Sequence, residues 1–211
     1  MPDLIDRLYQ GETGLVIVAP DGSMHITRPS GAVLLAGSFN PLHEGHEKLL
    51  AAAARVTGRS PAYEVSAVNV DKPTIDPSDL RRRLQQFKGK SPVVVTRAPT
   101  FGEKAALAPD TVFALGYDTA VRLFDERYYP PYDPDNDPCG LGSTALVVMD
   151  QVRRNGGSFA VAGRVGDDGK FYTLRDIDVP EGFSDMLVEI PESEFREDIS
   201  STEIRERQGR E

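Results

Sequence analysis

The stretch AVLLAGSFNPLHEGHEKLLAAAARVTG, residues 32 to 58, changes its hydrophobic period partway along. Its first five residues are a short continuous apolar run, the pattern of a strand buried on both faces. From Glu44 onward, Leu49, Leu50, Ala53 and Ala54 recur at helical spacing, and Gly58 supplies a stop signal. Between the two, Asn40 precedes a proline and is pushed out of the helical region until a helix can begin near His43. The stretch therefore predicts a strand, a tight turn and a helix.

The flanking sequence repeats that alternation. YEVSAVNV, SPVVVTR and TVFALG read as strands, and DPSDLRRRLQQF, DTAVRLFDERYY and STALVVMDQVRRNG as helices. Such alternation builds right-handed βαβ units, so the expected class is α/β: a doubly wound parallel sheet with helices on both faces. Two β-hairpin additions are expected. One lies in GLVIVAPDGSMHITRP around Pro20-Asp21-Gly22, and the other pairs SFAVAGRV with KFYTL around Asp167-Asp168-Gly169. Residues 1–31 are expected to be an N-terminal helix and hairpin extension, and 32–211 the main domain. The Pro, Asp and Gly-rich stretch from Pro130 to Gly142 reads as a flap or a surface excursion.

With 211 residues and 39% hydrophobic content, the chain can bury roughly 70% of its unfolded surface in one domain. A net charge of -9 argues against nucleic-acid and anionic-membrane partners, which need clustered cations. Any anionic ligand must be held by local groups. The single cysteine, Cys139, excludes an internal disulfide and suggests a reducing compartment. The charged opening MPDLIDRLYQ has no apolar core of a leader, and no run approaches the ~20 apolar residues of a membrane span. A cytoplasmic protein is expected; oligomeric state is not legible.

His43 and His46 are three apart and share one face of the helix's first turn, while Gly45 leaves room for a ligand to approach. The helix N-terminus aims N–H groups and a positive dipole end at the same place, which suits phosphate. A zinc reading of this pair needs a third protein ligand, for which His25 and Cys139 are the other imidazole and the thiol, and none is expected. Near the end of the chain, ISSTEIR at 199 to 205 fits a capping box through Ser200 and Glu203. The same helix start, with Ser200, Ser201, Thr202 and Arg205, also makes a phosphate cradle.

GSFNPLHEGH resembles the glycine-led H-x-G-H signature of the nucleotidylyltransferase superfamily, and ISSTEIR resembles the I-S-S-T-x-x-R signature of its adenylyltransferase members. The pair is most similar to nicotinate and nicotinamide mononucleotide adenylyltransferases. That resemblance implies a Rossmann-like sheet and transfer of AMP from ATP, with Mg²⁺, to a small phosphomonoester such as a pyridine mononucleotide, releasing pyrophosphate. It assigns substrate phosphate to the backbone at Gly37, Ser38 and Phe39, the ATP phosphates to His43 and His46, and the β,γ side to Ser201, Thr202 and Arg205. GYDT resembles the family's motif after the fourth strand and puts Asp118 near the nucleotide; Lys72 becomes a candidate ligand of the acceptor phosphate. Members commonly stack the pyridine ring on a tryptophan. This chain has none, leaving Phe101, Tyr117, Phe124, Tyr128 and Tyr129 as aromatic faces. Two alternatives stand beside this reading: cytidylyl or adenylyl transfer to another phosphomonoester, and a nucleotide-binding sensor without catalysis.

Three other patterns are set aside. GLGSTA at 140 to 145 matches G-x-G-x-x-A but follows a loop rather than a strand. Asp133, Asp135 and Asp137 have calcium-loop spacing, but Pro138 stands where the loop glycine belongs. The basic run in DLRRRLQQFKGK reads as the solvated face of a helix.

Overall fold

The apolar run at 32–36 sits at the centre of a sheet because helices cover both of its sides. The computed structural model describes residues 3–68 and 73–196. The chain opens with α1 (Leu4–Tyr9), β1 (Leu15–Val18) and β2 (Met24–His25), then enters β3 (Ala32–Ala36), α2 (Glu44–Thr57) and β4 (Ser60–Ser66). It continues through α3 (Pro77–Leu84), β5 (Val93–Thr96), α4 (Phe101–Leu107), β6 (Val112–Gly116), α5 (Tyr117–Arg122), α6 (Thr144–Arg154) and β7 (Ser158–Ala162). The two-residue strands β8 (Arg164–Val165) and β9 (Phe171–Tyr172) pair with each other, and β10 (Leu187–Ile190) follows.

Among the described residues the main sheet has the order β10-β7-β6-β3-β4-β5-β1-β2. Its six strands from β10 to β5 run parallel, and β1 joins antiparallel to β5 with β2 beyond it. This is the expected doubly wound, Rossmann-like α/β fold. From β3 the chain winds outward through β4 and β5, then returns to wind the other way from β6. The direction reverses between β3 and β6, and a crevice at the carboxyl ends of two such strands is where open α/β sheets take ligands.

Alternate residues of β3 face different cores. Val33 and Leu35 pack with Leu49, Leu50, Ala52 and Ala53 of α2 and with Leu80 and Leu84 of α3. Leu34 packs on the opposite face with Ala105 of α4, Ala120 of α5, and Met149 and Val152 of α6. α2 ends where the sequence predicts, at Gly58 with φ 68°.

Three local expectations are corrected. SFAVA is not part of a hairpin but β7, a parallel strand between β6 and β10; only Arg164–Val165 and Phe171–Tyr172 pair as a hairpin. DTAVRLFDERYY is helical only to Arg122, then turns again at Glu126–Tyr128. α4 and β10 were not anticipated. The arginines of α3 do not share one solvated face: Arg82 is exposed, whereas Arg81 binds Asp3 at 2.9 Å and Asp6 at 2.6 Å, and Arg83 turns inward. The 130–142 stretch is a braced excursion, in which Asp137 Oδ2 accepts the Tyr132 hydroxyl at 2.8 Å and the Gly142 N–H at 2.7 Å. No helix among the described residues is long and apolar enough to cross a membrane.

A buried ion pair joins the sheet to α4. Glu64 of β4 is 1% exposed, and its Oε1 accepts Lys104 Nζ at 3.1 Å and the Thr96 hydroxyl at 2.7 Å. Lys104 also donates to the Ala98 carbonyl at 2.6 Å, tying α4 to the chain leaving β5. Removing one partner leaves a buried charge uncompensated, which costs about 3–5 kcal/mol. Lys104→Met is therefore expected to lower the unfolding free energy by that amount in urea titration. Adding Glu64→Gln to it should recover much of the loss.

Candidate active site

The chain leaving β3 keeps one more ladder bond, from the Gly37 N–H to the Glu64 carbonyl at 3.0 Å, before it turns. A Cβ on Gly37 would lie 2.9 Å from the Phe39 ring, so glycine lets that ring fold back over the strand end. Phe39 holds φ 42°, a left-handed backbone that few bulky residues adopt. Its ring is buried and stands edge-on to Tyr63 at 5.3 Å, Phe87 at 5.3 Å and His46 at 4.9 Å. Burial pushes the Tyr63 hydroxyl up to about 12, which keeps this aromatic floor uncharged.

His43 is the extended N-cap of α2, with φ −141° and ψ 168°, and Gly45 and His46 are the second and third residues of the helix. The two imidazoles stack, their centroids 3.6 Å apart and their planes 27° from parallel. The His43 N–H donates to His46 Nδ1 at 3.3 Å. With Nδ1 accepting, a neutral His46 carries its proton on Nε2, which becomes a donor. Burial, and the charge of His43 beside it, push the His46 imidazole down from 6.5 to about 4. At neutral pH His46 is an uncharged N–H donor at a helix start that also presents backbone amides.

β3 and β6 are neighbours in register, with Leu35 opposite Ala114, so the segment after Gly116 leaves the sheet beside the Gly37 turn. Asp118 lies there in the first turn of α5, and its carboxylate forms an ion pair with Arg164 of β8. Tyr117 faces Tyr172 of β9, ring centroids 5.5 Å apart. The other aromatic candidates are committed elsewhere. Phe101 packs on Phe113 and Phe159, Phe124 joins the same core, Tyr128 lies under Arg122, and Tyr129 donates to the Leu123 carbonyl.

Gly37, Ser38, Phe39, His43, Gly45 and His46 thus gather at one strand end, with Asp118 after the adjacent strand. Lys72, Ser200, Ser201, Thr202 and Arg205 lie outside the described residues. Sequence reading missed Arg83, Gln86, Arg164 and Tyr172. Arg83 and Gln86, three apart at the end of α3, both reach the Gly37 turn, so their helical spacing was the available signal.

The family model described as "Cytidylyltransferase-like" matches residues 34–207, from within β3 through ISSTEIR. The chain belongs to the cytidylyltransferase-like family. As a member of this nucleotidyltransferase superfamily it is a nucleotidyltransferase, an enzyme that takes a nucleoside triphosphate and a small acceptor as substrates. The family match leaves α1, β1 and β2 outside its span. No curated protein matches the chain.

The depressed His46 pKa has a sign that stability can read. The unfolded chain takes up this proton near pH 6.5 and the folded one only near 4, so the contribution is present above 6.5 and is lost as pH falls. At 1.36 kcal/mol per pKa unit, wild type should lose about 3 kcal/mol between those limits relative to His46→Gln. Urea unfolding of both proteins across that range measures it.

Proposed function

We propose that this nucleotidyltransferase moves an adenylyl group from ATP to a small phosphomonoester, a pyridine mononucleotide, and releases pyrophosphate. The observation that carries the reading is the turn from Gly37 to His46, which sets two imidazoles and a helix N-terminus at the point where the sheet reverses direction. In the proposed reaction an acceptor phosphate oxygen attacks the α-phosphorus in line. The bond to the bridging oxygen breaks, and its electron pair leaves with pyrophosphate. No group on the protein becomes covalently attached.

Catalysis of this kind is positioning plus stabilisation of charge that develops on the phosphates. The amides of α2's first turn and the His46 Nε2–H offer donors to those oxygens. His46 does so as a neutral group and need not give up its proton. Ser201, Thr202 and Arg205 are assigned the β,γ end, Asp118 the nucleotide and Lys72 the acceptor phosphate. Mg²⁺ takes oxygen ligands, and the described residues hold no cluster of three or more His, Cys, Asp or Glu side chains. The ion would come with the triphosphate and would supply charge neutralisation there.

Tyr117 supports a ring-bearing acceptor, since an aromatic face beside the crevice can stack a planar ring. The family description favours CTP as a second donor. The single cysteine supports a cytoplasmic setting.

Pyrophosphate release tests the proposal, with Mg²⁺ and ATP or CTP against nicotinamide mononucleotide, nicotinate mononucleotide, phosphopantetheine and glycerol 3-phosphate. Turnover with ATP and a pyridine mononucleotide is expected, and His46→Ala should lower it by at least ~10²-fold, the scale of one lost transition-state donor. Turnover with another acceptor alone would overturn the pyridine assignment. Binding of ATP with no release from any pair would overturn the pyridine assignment and move the reading to another acceptor or to a sensor.

A further inference from the structure

The turn that carries His43 and His46 is held from below by a side chain with no role so far. Gln86 lies in the 3₁₀ turn Gln85–Phe87 that continues α3. Its Oε1 accepts the Leu42 N–H at 2.8 Å, and its Nε2 donates to the Phe39 carbonyl at 3.0 Å. One planar amide, which both donates and accepts, thereby joins the two ends of the segment from Phe39 to Leu42. A second donation, to the Arg83 carbonyl at 3.1 Å, fixes the amide's orientation on its own helix end.

Arg83 adds a parallel hold one residue earlier in the turn. It donates to the Ser38 carbonyl at 3.0 Å, while Asp79 takes its Nε at 2.9 Å and its remaining nitrogen at 2.6 Å. α3 is in turn pinned to α1 by Arg81, and the Tyr9 hydroxyl of α1 donates to the Ile75 carbonyl at 2.5 Å just before α3 begins. The turn is therefore referenced to a rigid neighbour on its far side.

We propose that Gln86 is a positioning residue for this turn: by bridging the Leu42 N–H and the Phe39 carbonyl, it sets the angle at which α2 presents His46 to the triphosphate. The kinetic part of this inference rests on the function proposed above; the geometric part does not. Leu42 immediately precedes the N-cap, and Phe39 is the ring against which His46 stands, so the bridge acts on the backbone of both supports of His46 at once. A displacement of about 1 Å at a reacting group can cost on the order of 10²-fold in rate.

Gln86→Met keeps the side chain's length and removes both bonds, whereas Gln86→Glu keeps an acceptor for Leu42 and loses the donor to Phe39. Gln85→Met, at the exposed neighbour in the same turn, is the control. Imidazole ¹⁵N spectra of the protein without ligand read the tautomer and pKa of His46 directly. Wild type and Gln85→Met should show one Nε2–H tautomer. Gln86→Met should show mixed tautomers and a His46 pKa raised by about one unit, toward its ordinary value. Gln86→Glu should also show mixed tautomers, and its tautomer ratio, read apart from the pKa that its added charge raises by itself, carries the test should Gln86→Met fail to fold. In pyrophosphate release, kcat of Gln86→Met should drop by about tenfold or more, with KM for the triphosphate changed by less than about threefold. An unchanged His46 tautomer and pKa in the Gln86 variants overturns the inference. No turnover by wild type overturns the functional reading instead, and the spectra still decide the role of Gln86.

Discussion

The fold of the sheet end that carries His43 and His46 depends on one buried ring. Phe39 sits in a left-handed backbone and turns back over Gly37, and that reversal lets a strand end at Ala36 and a helix start at Glu44 meet with seven residues between them. The cost of the backbone is offset by burial against Tyr63 and Phe87, which belong to β4 and to the turn after α3. Three elements distant in sequence therefore define where His46 stands. The imidazole is oriented by packing as much as by its own helix.

Electrostatics follow from the same burial. A net-acidic chain that takes a polyanionic substrate meets a general repulsion, and a charged imidazole would be the simplest remedy. Here burial keeps His46 neutral, and its ring stands beside oriented N–H groups of the helix start, which carry partial positive charge without the desolvation penalty of a buried ion. Where full charges are buried, as in Glu64 and Lys104, they neutralise each other and serve the scaffold.

Much of this was legible in the sequence because periodicity reports burial directly. The run at 32–36, the switch to helical spacing after Glu44 and the stop at Gly58 all correspond to observed elements. α4 escaped because it is short, flanked by prolines and broken by Gly102, although Thr100 and Glu103 did carry a capping box. Gly102 is there for packing: a side chain at that position would collide with Gln151 of α6. SFAVA was misassigned because the turn chemistry of Asp167-Asp168-Gly169 drew a whole apolar run into a hairpin that uses only two residues on each side. Arg83 and Gln86 were hidden for a different reason. Three successive arginines look alike in composition, but each 100° step around α3 faces a different partner: α1, solvent, then the Gly37 turn.

The antiparallel strand at the sheet's edge also bears on the order in which the molecule can be assembled. β1 is made early, at residues 15–18, but the strand it pairs with is β5, at 93–96, and β5 is itself held by β4. Until β5 emerges, β1 has only β2 beside it, and an isolated two-stranded ribbon of this length is marginal in water. The first strand synthesised is thus among the last of its half of the sheet to be secured, after the β3, α2, β4 unit that builds the turn from Gly37 to His46 has its own partners in hand.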